Sequence, residues 1–215
     1  MANLLTLCVL ALGLGIASHP VHVALAGLGV GLAGLLDALD GHCARRAGGP
    51  TRLGGLLDLV ADWTAFGLAP AAVAWARQPA GPLLMLALIA FLSAALARLI
   101  RSNFLLGPGR HDGYVGMPMP ALGCGLLGLG IAAPSAGAVI AGALLLAILA
   151  VCRRPYPGLA DLWRRFKLAL IILVSVAGIL MIVNWPMGLL VGAGMYALAP
   201  WIGPHDRGGV PSAAS

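Results

Sequence analysis

Long apolar stretches alternate with short polar connections along nearly the whole chain. Such stretches predict membrane-spanning helices, because a bilayer core is crossed by roughly 17–25 mostly apolar residues in a helix. Eight segments are predicted, several near the short limit: residues 3–18, 21–39, 56–75, 82–105, 119–133, 136–151, 168–183 and 188–201. The pattern therefore predicts an all-α integral membrane protein with one polytopic domain, residues 1–202, and a short disordered cytoplasmic tail, residues 203–215.

Composition supports a membrane environment. Of the 215 residues, 60% are hydrophobic and only 9% are charged, and the mean hydropathy is +0.98. These values exclude an ordinary soluble domain. The net charge of +6 does not indicate nucleic-acid binding, because no aromatic-interleaved basic surface or soluble module accompanies it. Membrane lipids with anionic headgroups are the simpler partner.

The distribution of basic residues gives the orientation. Basic residues concentrate in cytoplasmic loops of membrane proteins. With eight spans and a cytoplasmic N-terminus, twelve of the 13 basic residues fall on one side and only Arg77 on the other. The bias predicts a multi-pass protein of the cell (inner) membrane, with both termini in the cytoplasm.

Four aspartates in apolar surroundings carry the candidate chemistry. Asp37 and Asp40 are three residues apart, Asp58 and Asp62 four apart, in a chain with seven acids and no glutamate. On helices each pair lies on one face, and the break at residues 48–50 separates two helices that can face each other. Carboxylates at membrane depth need a compensating cation, and oxygen ligands favour Mg²⁺ or Mn²⁺ over zinc. The cleft is predicted to open toward the cytoplasm.

The aspartates belong to a longer pattern, Asp-x2-Asp-Gly-x2-Ala-Arg-x8-Gly-x3-Asp-x3-Asp. It resembles the signature of the CDP-alcohol phosphatidyltransferases at all eight defining positions. The resemblance implies that family's fold and two divalent cations, Mg²⁺ or Mn²⁺. It implies Asp37, Asp40 and Asp58 as metal ligands, and Asp62 as both a ligand and the catalytic base.

The same resemblance implies a binding site for CDP-diacylglycerol. Asp37 belongs to it, Gly41 and Gly54 leave room for the nucleotide, Ala44 keeps the wall low, and Arg45 neutralises phosphate oxygens. Taken without the motif, the small residues are equally typical of tight helix packing.

A second polar group ends the fourth segment, at Arg98, Arg101 and Asn103. On physical grounds alone, arginines near a helix end either snorkel to headgroups or bind an anion. The string Arg-Leu-x-Arg-x-Asn, followed by Gly-Met-Pro-x-Pro at residues 116–120, is similar to the bacterial and archaeal phosphatidylserine synthases. So is Ala-Asp-x3-Phe-Gly-x2-Pro at residues 61–70. The resemblance implies that these three residues hold the acceptor carboxylate or the lipid-linked phosphate.

The resemblance implies transfer of the phosphatidyl group from CDP-diacylglycerol to L-serine, giving phosphatidylserine and CMP. Other readings stay open. The same chemistry serves glycerol 3-phosphate, an inositol phosphate or choline as acceptor, and a remote alternative is a divalent-cation transporter with acids on discontinuous helices. The glycine-rich faces and the resemblance are compatible with a homodimer.

Overall fold

The protein, seen in a computed structural model, is helical over most of the part that the structure describes, residues 2–46, 52–78, 81–105, 113–157, 175 and 183–202. The elements follow in chain order: α1 (Ala2–Ser18), α2 (Val23–Arg46), α3 (Arg52–Asp62), a π-helical turn (Trp63–Leu68), α4 (Ala69–Arg77), α5 (Pro82–Ile100), a second π-helical turn (Arg101–Leu105), β1 (Gly113–Val115), α6 (Met119–Ala132), α7 (Ala136–Val151), β2 (Pro155–Pro157) and α8 (Trp185–Ile202).

Most predicted segments coincide with these helices. Two helical stretches in the described residues are long and apolar enough to span a membrane, Leu53–Arg77 and Pro82–Phe104, and the other apolar helices are shorter. Apart from Ser175 and Val183, the predicted segment 168–183 lies outside the described residues, as does the tail 203–215. The helical class is therefore confirmed, and the number of eight spans stays a prediction.

The first π-helical turn, Trp63–Leu68, interrupts what the hydrophobic pattern predicts as one regular helix. The amide of Ala69 donates to the carbonyl of Thr64, five residues earlier, which is the wider π spacing. The Thr64 hydroxyl donates to the Val60 carbonyl at 2.7 Å. The Trp63 indole N–H donates to the Leu92 carbonyl of α5 at 3.1 Å. This turn thus has its own polar contacts within and beyond its helix.

Two glycines let neighbouring helices touch the backbone of this π turn. A methyl group on Gly13 of α1 would lie 2.8 Å from the Cα of Ala65, and one on Gly123 of α6 would lie 2.8 Å from the Cα of Phe66. Both distances are far below van der Waals contact. Small residues at such crossings allow membrane helices to gain dispersion contacts where no hydrophobic drive exists. The π turn consequently lies between α1 and α6 in the core.

A short antiparallel ribbon was not part of the all-α prediction. Strands β1 and β2 pair Tyr114 with Tyr156, and three-residue strands are too short to give an alternating hydrophobic pattern. The buried Tyr156 ring stacks on Tyr196 of α8, with centroids 5.8 Å apart. Burial, followed by the nearby Cys152, raises the pKa of Tyr156, so the phenol stays neutral. The ribbon therefore ties the α7 end to α8.

The close crossing of α4 and α6 gives a stability prediction. A methyl group on Gly130 would lie 2.8 Å from the Cα of Ala74, so Gly130→Ala should lower the unfolding free energy by about 1–3 kcal/mol through overpacking. Gly31→Ala is the matched control, because nothing lies within 4 Å of its added methyl. Thermal unfolding in detergent measures the stability of both variants. Equal melting temperatures would contradict the close approach of α4 and α6 at Gly130.

Candidate active site

Three of the four motif aspartates come together in the structure. One carboxylate oxygen from each of Asp37, Asp58 and Asp62 lies within 4.8 Å of the other two. Asp62 is buried, with 9% of its surface exposed, and the other two are partly buried. Gathering like charges in a poorly solvated site is unfavourable unless a cation compensates them. The cluster is therefore a candidate cation site.

Two helices supply these carboxylates, Asp37 from α2 and the other two from α3. Helix α1 packs against both α2 and α3, so it sets their separation. Gly34, one turn before Asp37, faces the ring of Phe66 in the π turn, where an added methyl would be in ordinary contact at 3.9 Å. The α-helical spacing of Asp58 and Asp62 places both on one face of α3. The predicted convergence of the two helices is present for these three acids.

The donor set fits a divalent cation. Around one octahedral Mg²⁺ with bonds of 2.0–2.1 Å, ligand oxygens lie about 2.9 Å apart in adjacent positions and about 4.2 Å apart in opposite ones. A cluster within 4.8 Å therefore needs a contraction of about 1–2 Å to close around one ion. All three donors are carboxylate oxygens, the type that hard cations prefer. Asp37, Asp58 and Asp62 could hold such an ion. The choice between Mg²⁺ and Mn²⁺, and the second ion, stay predictions.

The remaining motif residues follow the same two helices. Asp40, Gly41, Ala44 and Arg45 lie within α2, but their side chains are outside the described part of the structure. Gly54 is in the first turns of α3, partly buried, and four residues before Asp58. That spacing puts it on the aspartate-bearing face, where the predicted nucleotide contact requires it.

Arg98 is a buried cation near the same end of the bundle, with only 6% of its surface exposed. Helices joined by a short connection run antiparallel, and the Trp63 indole contacts α5 at Leu92. From this contact, a rise of about 1.5 Å per residue puts Asp58 about 7 Å and Arg98 about 9 Å toward the same end. Arg98 therefore stands near the level of Asp58. Asn103, in the second π-helical turn, is exposed.

Arg101 makes a set of backbone contacts that sequence reasoning missed. Its guanidinium donates to the carbonyls of Val151 at 2.9 Å, Val115 at 3.0 Å and Ala150 at 3.3 Å. The last carbonyls of a helix lack intrahelical partners, and a cation there also complements the helix dipole. Arg101 thus anchors the end of α7 to β1. Its predicted acceptor role stays a prediction.

Gly116 shows why this anchor needs a glycine. Its φ is +86°, which favours glycine, and an added methyl would lie 2.5 Å from the Ala150 carbonyl oxygen and 2.9 Å from an Arg101 nitrogen. The sequence places Gly116 in a motif, but Arg101 is 15 residues earlier and Ala150 is 34 residues further along the chain. No local sequence pattern predicts contacts between residues so far apart.

Comparison with known proteins agrees with this geometry. The sequence profile of the family described as CDP-alcohol phosphatidyltransferase matches residues 1–201. This chain belongs to that family. The predicted family is thereby confirmed, and the aspartate motif lies within the matched residues.

Several curated proteins resemble the chain in part. The CDP-diacylglycerol–serine O-phosphatidyltransferase of Mycobacterium leprae is 37% identical over 106 residues, 46% of this chain and 35% of the relative. The enzyme of that name from Methanocaldococcus jannaschii is 36% identical over 87 residues, 40% of this chain and 41% of the relative. The enzyme of that name from Saccharomyces cerevisiae is 34% identical over 100 residues, 43% of this chain and 36% of the relative. The chain thus matches less than half the length of these relatives.

The carboxylate cluster predicts metal binding that can be measured without substrate. Asp58→Asn replaces a charged ligand by an amide of similar shape, so we expect Mn²⁺ affinity to fall by at least about 10-fold, as even outer-shell changes cost 10- to 100-fold. The electron paramagnetic resonance signal of free Mn²⁺ reports binding to the purified protein. Asp206→Asn, outside the motif, is the control. Equal affinity in the two variants would remove Asp58 from the ligand set.

Proposed function

We propose that this protein transfers the phosphatidyl group from CDP-diacylglycerol to L-serine, giving phosphatidylserine and CMP. The observation that carries the proposal is the convergence of Asp37, Asp58 and Asp62 in a chain of the CDP-alcohol phosphatidyltransferase family. The choice of serine is supported by the partial similarity to relatives named as serine O-phosphatidyltransferases and by the Arg98 region.

In this proposal all four aspartates are metal ligands, and one of them is also the catalytic base. Asp37, Asp40, Asp58 and Asp62 hold two divalent cations, Mg²⁺ or Mn²⁺. When bound, these ions neutralise the diphosphate and assist departure of CMP. Asp62 also accepts the proton of the serine hydroxyl. The serine oxygen then forms a bond to the phosphorus that carries diacylglycerol, and the bond from that phosphorus to the CMP oxygen breaks.

The nucleotide and acceptor sites are proposed on either side of this cluster. Gly41, Ala44, Arg45 and Gly54 would line the CDP-diacylglycerol site together with Asp37, in agreement with the position of Gly54 on the aspartate face of α3. For the acceptor, the buried cation Arg98 near the level of Asp58 is the residue best suited to a carboxylate, because guanidinium groups pair with planar anions.

Membrane orientation is part of the same proposal. The family is membrane-associated, and the basic residues favour a multi-pass arrangement with both termini and the aspartate cleft on the cytoplasmic side. Such an orientation gives water-soluble serine and CMP direct access, while the acyl chains of CDP-diacylglycerol stay in the bilayer. A homodimer in that membrane is a further part of the proposal.

An acceptor panel tests the proposed reaction. Purified protein with CDP-diacylglycerol and Mn²⁺ or Mg²⁺ receives L-serine, glycerol 3-phosphate, an inositol phosphate or choline, and CMP release and lipid product are recorded. We expect turnover with serine and no turnover in EDTA. Asp62→Asn removes the base, so its turnover should fall by about 10²- to 10⁴-fold or more. Turnover with another alcohol alone would reassign the acceptor. Absence of CMP release with every acceptor would favour the cation-transporter alternative.

Arg98 and Arg101 allow a paired test of the acceptor site. Lysine keeps the charge but loses the planar fork. Arg98→Lys should raise the serine KM by about 10-fold, the loss of one charge-assisted hydrogen bond, with little change in the CDP-diacylglycerol KM. Arg101→Lys should mainly lower the unfolding free energy, by about 1–3 kcal/mol, because carbonyls of α7 and β1 lose partners. The reverse pattern would place the acceptor at Arg101, and unchanged kinetics in Arg98→Lys would leave Arg98 a snorkelling residue.

A further inference from the structure

The π-helical turn Trp63–Leu68 begins directly after Asp62, the residue proposed as base and metal ligand. An isolated π turn adds one residue to a helix that otherwise has 3.6 residues per turn. That extra residue rotates the preceding helix by about 100° relative to the following one. The turn therefore sets the direction in which α3 points its acids, once α4 is fixed in the core.

Helix α4 is fixed by burial. Ala69, Pro70, Ala71, Val73 and Ala74 are all buried, so the rotation of α4 is determined by its packing. The geometry of the π turn then sets the rotation of α3, and with it the direction of its acids, relative to α4. In the structure Asp58 and Asp62 point toward Asp37. A regular α-helix through the same residues would rotate both acids away from it.

Three contacts from three different helices hold the π turn in place. Gly13 of α1 touches the backbone at Ala65, and Gly123 of α6 touches the backbone at Phe66. The indole N–H of Trp63 donates to the Leu92 carbonyl of α5. Backbone contacts of this closeness cannot be adjusted by a rotamer change, so the position of the turn is rigidly determined.

From these contacts we infer that Gly13, Gly123 and Trp63 are positioning residues that set the geometry of the carboxylate cluster through the π turn. The inference rests on the proposed metal-dependent function, since it assigns these residues a role toward the cation site. None of them carries a charge or reaches the ion. They act by fixing where Asp62 and Asp58 lie relative to Asp37.

The test measures Mn²⁺ binding to purified protein without substrate, together with thermal unfolding. Gly13→Ala should weaken Mn²⁺ binding by about 10- to 100-fold, the usual range for residues that orient ligands. Gly15→Ala on the same helix is the matched control, because nothing lies within 4 Å of its added methyl. Gly128→Ala is the control for a backbone clash elsewhere, because its added methyl would lie 2.8 Å from the Pro186 carbonyl oxygen of α8. It should lower the melting temperature without changing Mn²⁺ affinity.

Trp63→Phe provides a milder variant if Gly13→Ala fails to fold. Phenylalanine keeps an aromatic ring but cannot donate to Leu92, and we expect about 10-fold weaker Mn²⁺ binding in a folded protein. Trp75→Phe, at a 42% exposed tryptophan of α4, should bind like the wild type.

The outcomes separate the two proposals. Wild-type protein that binds no Mn²⁺ would overturn the proposed metal-dependent function. If the wild type binds Mn²⁺ and folded Gly13→Ala binds it with the same affinity, the positioning role alone is overturned. If Gly13→Ala does not fold, equal Mn²⁺ affinities of Trp63→Phe and Trp75→Phe overturn that role in the same way. Equal weakening in Gly13→Ala and Gly128→Ala would also overturn it, because any loss of stability would then suffice.

Discussion

Repulsion among three carboxylates is the constraint that the helix arrangement must meet. Asp37, Asp58 and Asp62 converge within 4.8 Å, and desolvating each ion costs several kcal/mol. The three acids come from two helices, α2 and α3, so their convergence depends on how these helices pack. The separation of α2 and α3 is set by α1, which packs against both. The chemistry thus depends on helix packing at a distance from the acids.

Backbone contact at glycines makes that packing rigid. In lipid, helices gain little from burying apolar side chains, so close approach and dispersion contacts decide how they associate. The crossings at Gly13, Gly123 and Gly130 bring helix backbones together. The π turn lies where two of these crossings meet, next to Asp62.

Arg98 and Arg101 show how neighbours decide the role of identical side chains. They are three residues apart at the end of the same helix, and both are arginines of one motif. Arg101 meets the carbonyl end of α7 and β1 and binds backbone. Arg98 is buried, near the level of Asp58. Their different surroundings follow from α7 and β1, elements far away along the chain.

The sequence by itself determined the helical membrane class, the family and the four aspartates, because hydropathy and fixed motif spacing are local properties of a chain. Only the tertiary structure decided the π turn after Asp62, the carbonyl partners of Arg101 and the ribbon through Tyr156. The hydrophobic pattern shows that residues 56–75 are apolar and helical, but not that one turn widens. That widening is stabilised by glycines of α1 and α6 and by a carbonyl of α5, and such contacts exist only once the helices have packed.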